Sequence, residues 1–134
     1  MTRRANVFLA VVLVVSACSS DNSGVTTPSS TSPTTETFAS RLYKGRAWRT
    51  FTASTSGRVN VTLTTVGPHS VPIGLGLGIP GNGSTCILSI SLVTEGGTTP
   101  QISEHVDPGD YCAEVHDVGN VVDFVSFSVA IEYP

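Results

Sequence analysis

From residue 38 to residue 134 apolar and polar side chains alternate with a period of two. Val59, Val61 and Leu63 alternate with Asn60, Thr62 and Thr64. Val71, Ile73, Leu75, Leu77 and Ile79 alternate with Pro72, Gly74, Gly76 and Gly78. Val125, Phe127, Val129, Ile131 and Tyr133 alternate with Ser126, Ser128, Ala130 and Glu132. Successive side chains of a strand point to opposite faces, so each run predicts a strand with one buried face. Residues 38–43, 47–52, 85–93, 101–106 and 111–116 read as further strands, bringing the expected number to about eight. Turn residues fall between the runs: Ser54-Thr55-Ser56-Gly57, Pro80-Gly81-Asn82-Gly83, Glu95-Gly96-Gly97, Asp107-Pro108-Gly109-Asp110 and Asp117-Val118-Gly119-Asn120. The pattern predicts an all-β domain, an antiparallel β-sandwich or jelly roll of about eight strands. Trp48 and Phe51 are the large rings expected in its core. The glycines alternating with Leu75 and Leu77 predict a strand closely approached by another backbone on one face.

The N-terminal residues follow a different pattern. Arg3 and Arg4 precede an apolar run over residues 7–15, followed by Ser16-Ala17-Cys18. The run is too short to cross a hydrocarbon core of about 30 Å and reads as the apolar part of a secretory signal. Val15-Ser16-Ala17-Cys18 resembles the bacterial lipobox. That resemblance implies diacylglycerol on the Cys18 thiol, cleavage before Cys18 and acylation of its new amine. The alternative reading is an ordinary signal peptide cut nearby, with Cys18 left as a thiol. Of the 19 residues from Ser19 to Thr37, 14 are Ser, Thr or Pro, too polar a segment to offset the cost of ordering it. The expected organisation is therefore a signal peptide over residues 1–17, a lipidated Cys18 heading a disordered linker over 18–37, and the sandwich over 38–134. Ser19 after the cysteine, where Asp would retain the protein, resembles the signal for sorting to an outer membrane.

Composition narrows the function classes. Only 13% of the residues are charged and the formal net charge is −3. No cluster of Lys and Arg is dense enough to hold a nucleic-acid backbone, so no nucleic-acid partner is expected. Three cysteines are an odd number for an exported chain. Lipidation of Cys18 would leave Cys86 and Cys112 as one pair for a disulfide in an oxidising compartment.

Gly57-Arg58-Val59-Asn60-Val61-Thr62-Leu63 and Pro108-Gly109-Asp110-Tyr111-Cys112-Ala113-Glu114-Val115 resemble the strand motifs of the bacterial pre-peptidase C-terminal domain. That family is a small β-sandwich found on secreted proteases and in free-standing exported proteins. The resemblance implies a sandwich with an accessory role. No protease domain precedes it here, and no calcium- or substrate-binding residues can be carried over.

Catalytic chemistry finds little to use. Glu104, His105, Asp107, Asp110, Glu114, His116, Asp117 and Asp123 fall late in the chain, without the ligand spacing of a calcium loop. A turn Asp commonly accepts hydrogen bonds from its own backbone. His105 and His116 are expected on the two arms of one hairpin, out of register with each other. No G-x-S-x-G elbow is present. No catalytic residue, metal or cofactor is therefore assigned.

One asymmetry stands out. Arg41, Lys44, Arg46, Arg49 and Arg58 all precede residue 59, whereas eight acids follow residue 94. Either the early strands lie beside the late ones and the charges pair, or the domain presents a dipolar surface to an anionic envelope polymer. Tyr43, Lys44, Arg46 and Arg49 form the candidate binding surface. The expected function is a lipid-anchored, exported, non-catalytic module that meets the membrane through its anchor and an envelope polymer or protein through its domain. The alternatives are a structural spacer and a small metal-dependent or hydrolytic enzyme.

Overall fold

All eight alternating runs form strands in the computed structural model, which describes residues 32–134. In chain order they are β1 (Thr34–Leu42), β2 (Arg46–Ala53), β3 (Gly57–Gly67), β4 (Ile73–Gly81), β5 (Thr85–Thr94), β6 (Ile102–Val106), β7 (Gly109–His116) and β8 (Val125–Tyr133). The signal segment, Cys18 and the linker as far as Thr31 lie outside the described residues.

Two four-stranded antiparallel sheets result, ordered β1-β8-β3-β6 and β2-β7-β4-β5. The pairing is nested: first with last, second with seventh, third with sixth, fourth with fifth. That is the strand order of a jelly roll, in which two sheets close over one core. The core side chains come from the expected positions: Val59, Val61 and Leu63 of β3, Ile73, Leu75 and Leu77 of β4, and Val125, Phe127, Val129 and Ile131 of β8. A bulge at Thr64 shifts the β3 register, after which Val66 packs against the core. β6 stops short of the end of β3. There the Gln101 side-chain amide takes its place, its Oε1 accepting from Leu63 N–H at 2.8 Å and its Nε2 donating to Leu63 C=O at 3.3 Å.

Cys86 and Cys112 form a disulfide between β5 and β7, with Cα atoms 5.9 Å apart. β4 lies between these strands in the sheet order. The register of the β4–β5 ladder shifts at Leu77/Gly78, and Gly78 has no side chain to hold β5 off. A Cβ on Gly78 would collide with the carbonyl oxygen of Ile87 and lie 2.7 Å from Leu88 Cα. This is the close backbone approach expected of the glycine strand. At Gly74 the neighbour is the His116 ring instead, and at Gly76 the nearest atoms are the Leu88 methyls, with the Ile90 carbonyl oxygen at 3.2 Å.

Three further expectations are corrected. β1 begins at Thr34, so residues 34–37 belong to the sandwich and not to the linker; Thr37 and Phe38 continue the same ladder against β8. Trp48 is not a core residue. It pairs across from Glu114 on the outer face of its sheet and is only partly buried, whereas Phe51, three positions on, points inward. Parity decides this: Ala47, Phe51 and Ala53 occupy the inner positions of β2. Finally, residues 107–110 do not close a hairpin. β6 and β7 belong to different sheets, so the turn is a corner between layers, and His105 and His116 lie in separate sheets.

Candidate functional site

The nested topology gathers the β1–β2, β3–β4 and β7–β8 connections at one end of the sandwich, because Leu42 pairs with Val125 and Gly67 with Ser126. Thr34, where β1 starts, pairs with Tyr133 at the other end. The loop end carries the exposed large apolar side chains Tyr43, Val118, Val122 and Phe124.

Local geometry builds this surface. β1 passes to the other sheet through Lys44 and Gly45, both in the left-handed region at φ 50° and 78°. Glycine adopts that conformation freely, whereas a lysine there is strained by about 1 kcal/mol. The tight link turns the Tyr43 ring outward, where it is 48% exposed. The β7–β8 loop is fixed from within by Asp117. Its Oδ1 accepts N–H bonds from Gly119, Asn120 and Val121 at 2.9, 3.0 and 3.0 Å. Asp117 N–H donates to the Gly45 carbonyl at 2.9 Å, and Asn120 Nδ2 donates to the Pro72 carbonyl at 3.0 Å, so three connections are tied together. Buried Val121 pins the loop, and Phe124 emerges 55% exposed beside Tyr43, their ring centroids 4.7 Å apart. The Arg41 guanidinium lies 5.2 Å from the Phe124 ring centre and Lys44 Nζ 5.8 Å from that of Tyr43. Two half-exposed rings with a cation over each can stack on a flat apolar face while pairing with anions on it.

The bond from Val121 N–H is the main reason the Asp117 carboxyl titrates below its ordinary value. Burial opposes the shift, while the Gly119 and Asn120 bonds and the Lys44 charge add to it. The folded form therefore binds its proton less tightly than the unfolded chain. The stabilisation this gives is complete above the unfolded pKa of about 3.9 and lost as pH falls through the lower folded value. Asp117→Ala should accelerate amide exchange at Gly119, Asn120 and Val121 at neutral pH by on the order of tenfold. Unchanged protection at these three amides would show that the carboxylate does not hold the loop.

The candidate cations divide. Tyr43 and Lys44 belong to the loop-end surface, joined there by Arg41 and Phe124. Arg46 and Arg49 stand on β2 and are already paired. Arg49 Nε donates to Glu36 Oε1 of β1 at 2.8 Å, across the seam between the sheets. Arg46 Nη1 lies 3.5 Å from Glu114 Oε2, and His116 Nδ1 lies 3.4 Å from Glu114 Oε1. Glu114 is buried on the outer face of its sheet and its Oε2 accepts no hydrogen bond, so the Arg46 charge beside it is what balances it there. Arg58 donates to Ser103 Oγ at 3.1 Å. Of the early bases, Arg46 thus pairs with a late acid, Arg49 pairs with the early Glu36, and Arg41 and Lys44 remain as exposed cations.

Phe124 and Arg41 were missed in the sequence, though Phe124 carries a signal: it sits directly before the inward Val125 and so falls on the outward parity of β8. Of the turn acids, Asp117 holds its own loop, whereas Asp107 and Asp110 reach across to another strand connection and strand: Ser56 Oγ donates to Asp107 Oδ1 at 3.2 Å and Thr52 Oγ1 to Asp110 Oδ1 at 2.6 Å. Among the described residues, no three His, Cys, Asp or Glu side chains converge as a metal set. Compared with known proteins, the chain matches no family model, no curated protein and no solved structure.

Proposed function

We propose that the chain is an exported, lipid-anchored, non-catalytic module whose loop end binds an anionic polymer of the cell envelope. The observation that carries this reading is the opposition of the two ends. β1 leaves Thr34 at one end and delivers Tyr43 and Lys44 to the other, about 30 Å away for nine residues of strand. A chain tethered through Cys18 thus presents the aromatic–cationic surface away from its anchor. The lipobox-like Val15-Ser16-Ala17-Cys18 supports the anchor, and several acyl chains hold far more firmly than one. The motifs resembling the pre-peptidase C-terminal domain fall on β3 and on β7 with the corner before it, which supports an accessory role.

Cys18→Ser should release the chain from the membrane fraction in folded form. That soluble chain should still bind isolated envelope polymer, with affinity falling as salt rises. Arg41→Gln with Lys44→Gln should weaken binding about tenfold, as two exposed cation contacts imply, and Tyr43→Ala with Phe124→Ala at least as much. Arg46→Gln and Arg49→Gln should leave it unchanged. A released chain that ignores the polymer at low salt would instead make the domain a spacer.

A further inference from the structure

The two sheets have four edge strands, and three are guarded. β1 carries Glu36 and Arg41, β2 carries Arg46 and Arg49, and the Arg49–Glu36 pair closes the seam between them. β6 is five residues long and turns the Glu104 carboxylate toward the interior side, opposite buried Val59. An inward charge on a short edge is an ordinary defence against strand pairing. β5 carries none of these charges, and the one irregularity of its ladder with β4 is a bulge at Ser89. Its ten residues, Thr-Cys-Ile-Leu-Ser-Ile-Ser-Leu-Val-Thr, contain no charge, proline or glycine. Among the described residues, its backbone pairs only with β4.

Beside this edge the sandwich stands open. A cavity of about 480 Å³ lies in the β5–β6 seam, between Leu77, Ser89 and Ile90 of one sheet, Glu104, His105 and Val106 of the other, and Asp107 and Tyr111 at the corner. That volume is in the range of ligand sites. Further along the same two strands, Ile79 and Ile87 face each other in the ladder, share the inward parity of Leu77, and stay 49% and 57% exposed. The lining holds two carboxylates and neither Lys nor Arg. On the neighbouring strand β3, Arg58 pairs across from His105 on the outer face of the sheet.

We propose that β5 accepts an extended segment of a partner protein as an added strand along Thr85 to Ile90, with an apolar side chain over Ile79 and Ile87 and a Lys or Arg two positions away facing Glu104 and Asp107. Strand addition draws affinity from main-chain hydrogen bonds and specificity from pockets for alternate side chains, and this edge offers both. Residues two apart share a face, so one strand can serve the apolar shelf and the acidic rim together. A second copy of the chain is the poorer occupant. Edge-to-edge pairing through β5 would bring two Glu104–Asp107 rims toward each other.

The probe is the acetylated peptide Thr-Val-Thr-Lys-Thr-Val-Thr, with a Glu-for-Lys version and a backbone N-methylated version, added to the Cys18→Ser chain. The Lys peptide should slow amide exchange within Thr85 to Ile90 and bind about tenfold more tightly than the Glu peptide at low salt. The N-methylated peptide should not bind. Glu104→Lys, at an exposed position, should reverse the charge preference. Asp107→Asn should reduce that preference without reversing it. Equal affinity for the Lys and Glu peptides, protection at the β1 or β2 edge instead of β5, or no binding at millimolar peptide would each overturn the proposal. So would protection of β5 that grows with protein concentration in the absence of peptide, which would assign the edge to a second copy.

Discussion

Gly78→Ala should destabilise the domain by about 3 kcal/mol and lower its melting temperature by roughly 12–20 °C. The added methyl would meet the Ile87 carbonyl oxygen and the Leu88 Cα, which are backbone atoms, so relief requires moving β5 itself. Elsewhere on the same strand the obstacle is softer. At Gly74 the methyl meets the His116 ring, which can rotate away at the cost of its place beside Glu114. Gly74→Ala should therefore cost about half as much, within the usual range for overpacking. Gly109→Ala is the control. Its methyl would find only the Tyr111 ring at 3.8 Å, an ordinary contact, and stability should change by less than about 0.5 kcal/mol. Thermal unfolding of the three variants checks the order, and a Gly78→Ala protein as stable as Gly109→Ala would refute the account.

The same glycines show how far the sequence could be read. Alternation located the strands, though not the start of β1, because most of them have one face more buried than the other, and a period of two carries that information residue by residue. Their assignment to two sheets was not written in any single run. β6 and β7 look like the arms of a hairpin around Asp107-Pro108-Gly109-Asp110, since a tight turn and a corner between layers use the same residues. Only the nested pairing of distant strands separates the two, and that is a property of the whole core. Trp48 was misplaced for a more local reason. Its size argued for the core, while its parity with Arg46 and Thr50 put it on the outer face, and parity prevailed because a strand cannot turn one side chain around without a bulge.

The loop-end surface was half legible. Tyr43 and Lys44 could be singled out as an aromatic beside a run of cations. Arg46 and Arg49 looked equivalent to Lys44 by sequence distance. What distinguishes them is partners from β7 and β1, Glu114 and Glu36, brought near by pairings that span 68 and 13 residues of chain. The clustering of bases early and acids late is in part a record of the fold. A jelly roll pairs its first strands with its last, so complementary charges at the two ends of the sequence become neighbours in space.

The other large effect concerns the Cys86–Cys112 bridge. The sequence separation is 26, and closing a loop of that size should stabilise the folded domain by about 3.5 kcal/mol through the entropy of the unfolded chain. A domain of roughly 100 residues has only about 5–15 kcal/mol in all, so the bridge is a major part of its stability. Reduction, or Cys86→Ala with Cys112→Ala, should lower the melting temperature by roughly 15–25 °C. An unchanged midpoint after reduction would count against the bridge. The bridge also fixes the conditions under which Gly78 matters. It ties β5 toward β7 across β4, at the place where Gly78 lets the Ile87 backbone come close. Once the bridge is opened, β5 can withdraw from β4, and a methyl at position 78 should find room. Gly78→Ala should thus cost less in the reduced protein than in the oxidised one, by about 1 kcal/mol or more, in a cycle that measures the coupling directly. Equal costs in both redox states would mean that the glycine and the disulfide act independently, and that the approach of β5 to β4 is set by their ladder alone.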